Sequence, residues 1–191
     1  MGICGTIAQD SEFVVDINSL NYRFAREMTG VAEDYINKIV KGNSVDSTLI
    51  TSQPGGGKTT FLRDLIRCVS DKGLNVSLID ERGEIAACYD GMPVFNIGKN
   101  TDVMSMCSKS KGMEMMLRTM TPDVIAVDEF DFLTDYQFLS MIVISGVSLF
   151  ATAHCQDYKK EIPTDVLKHF KHVIVLSDKH HPGVVEEIID V

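Results

Sequence analysis

Residues 51–60 read TSQPGGGKTT and follow directly on the apolar run Thr48-Leu49-Ile50. The phosphate-loop pattern is Gly, four residues, then Gly-Lys-Ser/Thr. Gly57-Lys58-Thr59 meets its end, whereas its opening position holds Ser52. Ser52 lies at the strand end and the loop's mouth, where a small side chain can take the place of glycine. Context decides the matter. The next stretch, TTFLRDLIRCVS, sets Phe61, Leu62, Leu65, Ile66 and Val69 at helical spacing. Strand, glycine loop and amphipathic helix therefore stand in the order phosphate binding demands. A helix start offers unpaired N–H groups and a partial positive charge to an anion. Glycines let the backbone approach closely and adopt positive φ. On this reading Ser52, Gln53, Pro54, Gly55, Gly56, Gly57, Lys58, Thr59 and Thr60 cradle a nucleotide. Lys58 neutralises its β- and γ-phosphates, and the Thr59 hydroxyl holds Mg²⁺.

A second motif agrees. In PDVIAVDEF, Val124 to Val127 form a buried strand that ends in Asp128-Glu129. Such a strand is expected beside the phosphate loop, with Asp128 on Mg²⁺ and Glu129 placed to polarise an attacking water. Strand 75–80 (NVSLID) falls between the loop strand and the Asp-Glu strand in the chain, so the Mg²⁺ strand is not the loop's immediate successor. This order, with glutamate next to aspartate, fits the additional-strand branch of P-loop ATPases. The sequence holds no NKxD-type guanine signature, so the expected nucleotide is ATP.

Ligands of open α/β sheets bind beyond the carboxyl ends of the strands. Two further polar groups lie at such ends. LIDER closes a strand with Asp80-Glu81-Arg82, and LFATAH closes one with Thr152 and His154. Both could face the γ-phosphate, with Thr152 or His154 as a sensor of its presence. A histidine at a strand end is by itself an ordinary surface residue; the shared sheet edge favours the site.

Composition narrows the class. The 191 residues are 45% hydrophobic and carry a net charge of −9, which suits one soluble core-forming unit and repels nucleic acid. No apolar run approaches the roughly 18 residues of a membrane-spanning helix, and MGICGTIAQDSEF is not expected to be a secretory signal. Five scattered cysteines form no C-x-x-C pair and read as reduced thiols. His180-His181 reads as part of a polar turn, with metal ligation the alternative.

Periodicity and turn residues predict strands or extended pieces at 12–17 and 21–26, and a helix from Val31 to Lys41 ended by Gly42-Asn43. Beyond the loop helix, residues 81–112 read as the least regular part. They are followed by a Met-rich helix (113–120), strand 124–128, helix 134–144, strand 147–152, helix 164–170 and strand 172–177. DKHHPG then turns the chain back into VVEEIID as a hairpin. The alternation predicts an α/β fold: a mostly parallel central sheet covered on both faces, with a C-terminal hairpin. Met113, Met116 and Met120 share a helical face, read as core, with a subunit contact as the alternative.

The chain resembles the stage III sporulation protein AA family of endospore-forming bacteria. SLNYRFARE, TLITSQPGGGKTTFLRDLIR, LIDERGEIAACYDG, NTDVMSMCSKSKGMEMMLRTMTPDVIAVDE, ATAH and VLSDKHHPGVVEEIID carry the resemblance over nearly the whole chain. It implies a three-layer, RecA-like P-loop ATPase related to secretion and pilus ATPases, using ATP and Mg²⁺. It also implies a homo-oligomer, a hexamer, acting with membrane-associated secretion-like channel proteins from the mother-cell cytoplasm. The family accepts Ser or Gly at the position of Ser52. The opening MGICG looks internal to the family, so the reading expects one ATPase domain over 1–191. Residues 1–30 would form an extended lead-in, and the family's N-terminal domain would be missing. Phe130-Asp131-Phe132-Leu133, Ile144-Ser145-Gly146-Val147 and Asn100 depart from the family's pattern near the expected site and a subunit face.

An arginine supplied across an interface can raise hydrolysis about 10³–10⁵-fold. Arg82 and Arg118 are the candidates, and surface ion pairs are the alternative for each. Asp80, Glu81, Arg82, Arg118, Glu129 and His154 thus make the expected catalytic set, with Thr59 and Asp128 for the metal. The alternative function is an ATP-binding structural switch with little hydrolysis.

Overall fold

A computed structural model of the protein describes residues 2–8, 13–21 and 27–191. Seven strands form one sheet: β5 (Thr48–Ser52), β6 (Val76–Asp80), β7 (Thr101–Ser105), β8 (Val124–Val127), β9 (Ser148–His154), β10 (His172–Leu176) and β11 (Val185–Asp190). Their order is β11-β10-β5-β9-β8-β6-β7, and every pair is parallel except β10 with β11. The antiparallel edge is the expected C-terminal hairpin.

Parallel strands covered on both faces should be apolar on both sides. Alternate side chains divide between two cores as the period of two requires. Ile50, Val76, Leu78, Val124, Ala126, Phe150 and Ile174 face one side, where α2 (Lys58–Asp71) packs Phe61, Leu62, Leu65, Ile66 and Val69 against them. Leu49, Ile79, Ile125, Val127, Leu149, Ala151 and Val173 face the other. There they meet Met113 and Met116 of α3 (Lys109–Thr119) and Leu139 and Ile142 of α4 (Tyr136–Ile144). Met113 and Met116 are core; Met120 lies just past the helix and is exposed.

The strand order bears out the additional-strand reading: β9 is inserted between β5 and β8, and Asp128 just past β8 still reaches the phosphate loop at Thr59. That insertion defines the additional-strand topology. It aligns Ser52 with His154 and Ile50 with Thr152, so β5 and β9 finish level, while β8 stops three residues short, with Val127 opposite Ala151.

Local structure departs from the sequence reading in four places. The helix expected over 31–41 is a single 3-10 turn at Glu33–Tyr35 and a turn of α-helix, α1 (Ile36–Ile39). The chain then leaves for the β3 (Val40–Lys41) and β4 (Ser44–Val45) hairpin. One turn already buries Ile36 and Ile39, and the β-branched Ile39-Val40 pair before Gly42 at φ +62° favours extension and reversal. β7 lies within the stretch read as irregular; it is a half-buried edge strand and needs no apolar run. The helix expected at 164–170 is shortened to α6 (Thr164–Leu167), preceded by α5 (Tyr158–Glu161). The N-terminal strands β1 (Gly2–Ile7) and β2 (Val14–Asn21) form a separate antiparallel ribbon, while most of the segment read at 21–26 lies outside the described residues.

Candidate functional site

The ends of β5, β8 and β9 and the start of α2 enclose an open cleft with about 880 Å³ of empty space. Its walls are Pro54, Gly55, Gly57, Lys58, Thr59, Thr60, Glu84, Asp128, Glu129 and His154. The loop is glycine-rich because neighbouring chain fills the space where side chains would go. A Cβ on Gly57, at φ +89°, would lie 2.5 Å from the Gly183 nitrogen; one on Gly56 would lie 2.5 Å from the Ser177 carbonyl oxygen. The turn of the β10–β11 hairpin is therefore packed against the loop, and Gly183 N–H donates to Gly56 O at 2.9 Å. Among the described residues, the N–H groups of Gly57, Lys58, Thr59 and Thr60 have no acceptor in the fold. They open the helix as an anion cradle.

Lys58 is buried among acceptors. Its Nζ donates to Ser52 O at 3.0 Å, Ser52 Oγ at 3.2 Å and Gln53 O at 3.2 Å, and it lies 2.9 Å from His154 Nδ1. Burial pulls this ammonium below its ordinary value, against the opposing pull of Asp128 and then Glu129. Ser52 thus has a specific place: its hydroxyl and carbonyl both anchor the lysine.

Thr59 Oγ1 donates to Asp128 Oδ2 at 2.8 Å. The other Asp128 oxygen accepts from the Thr152 hydroxyl and, at 3.2 Å, from the Glu129 N–H. Glu129 N–H also reaches Thr152 Oγ1 at 2.9 Å. Thr152, central in the sheet and fully buried, ties β9 to the end of β8. Glu129 sits at φ +50°, where a side chain is disfavoured, and its carboxylate meets Arg82 Nη2 at 2.6 Å and His154 Nε2 at 3.5 Å.

The other expected residues divide clearly. Asp80 is 2% exposed, and its carboxylate accepts from the N–H groups of Glu84, Ile85 and Ala86. It holds the loop that lines a narrower adjoining cleft of about 370 Å³, shared by Asp80, Glu81, Arg82, Glu84, Lys109, Asp128 and Glu129. Glu81 is half exposed at that rim. Arg82 reaches the site through Glu129, whereas Arg118, on the last turn of α3, is 75% exposed and pairs with Glu114 at 2.9 Å. Arg118 is not brought to this cleft. His180 and His181 lie in the turn beside the loop, and no group of three or more His, Cys, Asp or Glu among the described residues is arranged to hold a metal.

Lys109 is the residue that sequence reasoning passed over. Its side chain is 13% exposed, donates to the Glu129 carbonyl and pairs with Asp135 Oδ2 at 2.9 Å. The one available signal was a lysine opening a helix, against the helix dipole.

The donor set fits a nucleotide with Mg²⁺. Unbonded amides and a buried lysine suit phosphate, and a threonine hydroxyl beside an aspartate supplies the hard oxygen ligands that Mg²⁺ takes. No helix among the described residues is long and apolar enough to cross a membrane.

Comparison with known proteins agrees with this fold. The chain is 35% identical to the stage III sporulation protein AA of Bacillus subtilis (strain 168) over all of its own length and 66% of that protein's. It is 32% identical to the uncharacterized protein ycf45 of Cyanidium caldarium over 74% of the chain and 42% of the relative. The chain thus spans less than two thirds of either relative. Among solved structures, the VirB11 ATPase of the Brucella suis type IV secretion system matches with a TM-score of 0.55 at 14% identity, over 76% of this chain and 50% of that one. The Legionella pneumophila ATPase DotB matches at 0.53 and 20% identity, over 75% and 43%. The pilus retraction motor PilT with bound ADP matches at 0.51 and 19%, over 68% and 41%. These neighbours share the P-loop ATPase fold. The model of the family described as sporulation stage III, protein AA, matches residues 1–191, and the chain belongs to that family.

Proposed function

We propose that the chain binds ATP with Mg²⁺ at residues 52–60 and hydrolyses it as a motor or assembly ATPase of a sporulation channel complex. The carrying observation is the 2.8 Å hydrogen bond from Thr59 to Asp128 beside four unbonded amides. It joins the end of one motif to the end of the other, 69 positions along the chain.

In this reading Lys58 exchanges its loop carbonyls and His154 for phosphate oxygens. Thr59 and Asp128 hold Mg²⁺, which offsets the phosphate charge when bound. Glu129 orients the attacking water and accepts its proton at a carboxylate oxygen. His154 lies between Lys58 and Glu129 and senses the terminal phosphate. Arg82 supplies positive charge within the subunit or to a neighbouring one, in a homo-oligomer taken as a hexamer. The channel proteins that it would serve are membrane-associated, with the ATPase on the mother-cell side.

One observation favours a second reading, an ATP-binding switch that scarcely turns over. The Glu129 carboxylate is engaged by Arg82 at 2.6 Å rather than free to act as a base. Coupled ATPase assays on wild type and Glu129→Gln separate the two. A wild-type rate that rises with protein concentration and collapses in the variant supports the motor. Equal, near-zero rates in both support the switch.

A further inference from the structure

The geometry points to Lys109 as the positioning residue for Glu129, an assignment that rests on the hydrolytic reading above. Glu129 departs from the strand at φ +50°, a conformation that persists only when its surroundings hold it. They hold it from both sides. Its N–H is bonded to Thr152 Oγ1, and its carbonyl accepts from Lys109 Nζ. The side chain projecting between those two anchors is the carboxylate that faces the cleft.

Lys109 is itself fixed. Asp135, 6% exposed, accepts from it at 2.9 Å through the same oxygen that accepts from Asp131 N–H. Glu81 Oε2 stands 4.0 Å away on the other side. One ammonium therefore spans three segments of the chain: the end of β6, the exit of β8 and the approach to α4. Its position runs against local preference. It opens α3, whose first turn holds Lys109 and Lys111 and no acid, so its charge opposes the helix dipole. Such a violation of a local rule is expected where a residue serves a site. Removing the cation frees the Glu129 carbonyl, lets the backbone relax towards negative φ and swings the carboxylate out of register with an attacking water.

The test compares wild type, Lys109→Met, Lys109→Arg and Asp135→Asn. Lys109→Met is expected to lower kcat by about 10²-fold, the scale of a 1 Å misplacement, with KM for ATP unchanged. Lys109→Arg, which keeps the charge and the pair with Asp135, should restore most of the rate. Asp135→Asn, which loosens the lysine without deleting it, should show a smaller loss of the same kind and carries the test if Lys109→Met fails to fold. A second readout needs no turnover. Wild type should bind MgADP–aluminium fluoride more tightly than MgADP, and Lys109→Met should lose that preference while keeping its MgADP affinity. Wild-type kcat and analogue preference in Lys109→Met would overturn this assignment alone. A wild type that binds MgADP but neither turns over ATP nor prefers the analogue would overturn it together with the hydrolytic reading, leaving nucleotide binding intact.

Discussion

Lys58 Nζ and His154 Nδ1 stand 2.9 Å apart, although 96 positions separate the two residues in the chain. The contact follows from the register of β5 against β9, which sets Ser52 opposite His154. On the proposed reading a phosphate takes that place at the ammonium, which would couple nucleotide binding to the position of His154 through one atom.

Replacing Lys58 with alanine is expected to abolish the ATP-induced rise in melting temperature. Ligand at 100 times its Kd contributes about 2.7 kcal/mol to the folded state, and that contribution should vanish. Differential scanning fluorimetry with and without MgATP reads it; an undiminished rise in the variant refutes the cradle.

The same lysine predicts how affinity varies with pH. Burial holds its pKa below 10.5 in the protein alone, and a phosphate alongside would raise it. Between the two values binding takes up a proton, so affinity falls as pH rises through that interval. Calorimetric titration of MgADP in buffers of different ionisation enthalpy should detect the uptake. Pure release of protons there has the wrong sign for this account.

Thr152→Val keeps the shape and deletes the hydroxyl that Asp128 and Glu129 share. The unmet bonds should cost about 1–3 kcal/mol in urea denaturation. Binding of MgADP should weaken more than binding of ADP alone, since Asp128 loses an anchor. A variant equal to wild type in both measurements would remove Thr152 from the site.

A remote prediction concerns acid. His172 is buried, with Nδ1 2.8 Å from Asp190 and Nε2 3.1 Å from Asp46, and Lys38 approaches Asp190 at 3.3 Å. The hydrogen bond from His172, followed by that from Lys38, holds the Asp190 carboxyl below its ordinary 3.8. A depressed folded value stabilises above the unfolded pKa, and the benefit is lost as pH falls through the folded value. The stability gap between wild type and Asp190→Asn should therefore shrink as pH falls below about 3.8. A gap that widens on acidification contradicts the clasp.

Much of this molecule was written in local pattern. Val124 to Val127 and Thr48 to Ile50 read as buried strands because both their faces are covered, which demands continuous apolar character. Phe61, Leu62, Leu65, Ile66 and Val69 read as a helix because one stripe of α2 faces one core. Gly57, Lys58 and Thr59 pointed to a phosphate loop, and the strand before them, the helix after them and the Asp128-Glu129 motif decided it.

Tertiary structure decided the rest, because it depends on which distant segments become neighbours. Only the insertion of β9 between β5 and β8 brings Thr152 to Asp128 and His154 to Lys58. Only the folding of the 81–86 loop spends Asp80 on backbone amides, and only the length of α3 carries Arg118 away from the cleft. Lys109 had no readable role, since its partners Glu129 and Asp135 lie 20 and 26 positions onward and meet it through the fold. Periodicity reports which face of an element is dry; it cannot report what stands across the gap.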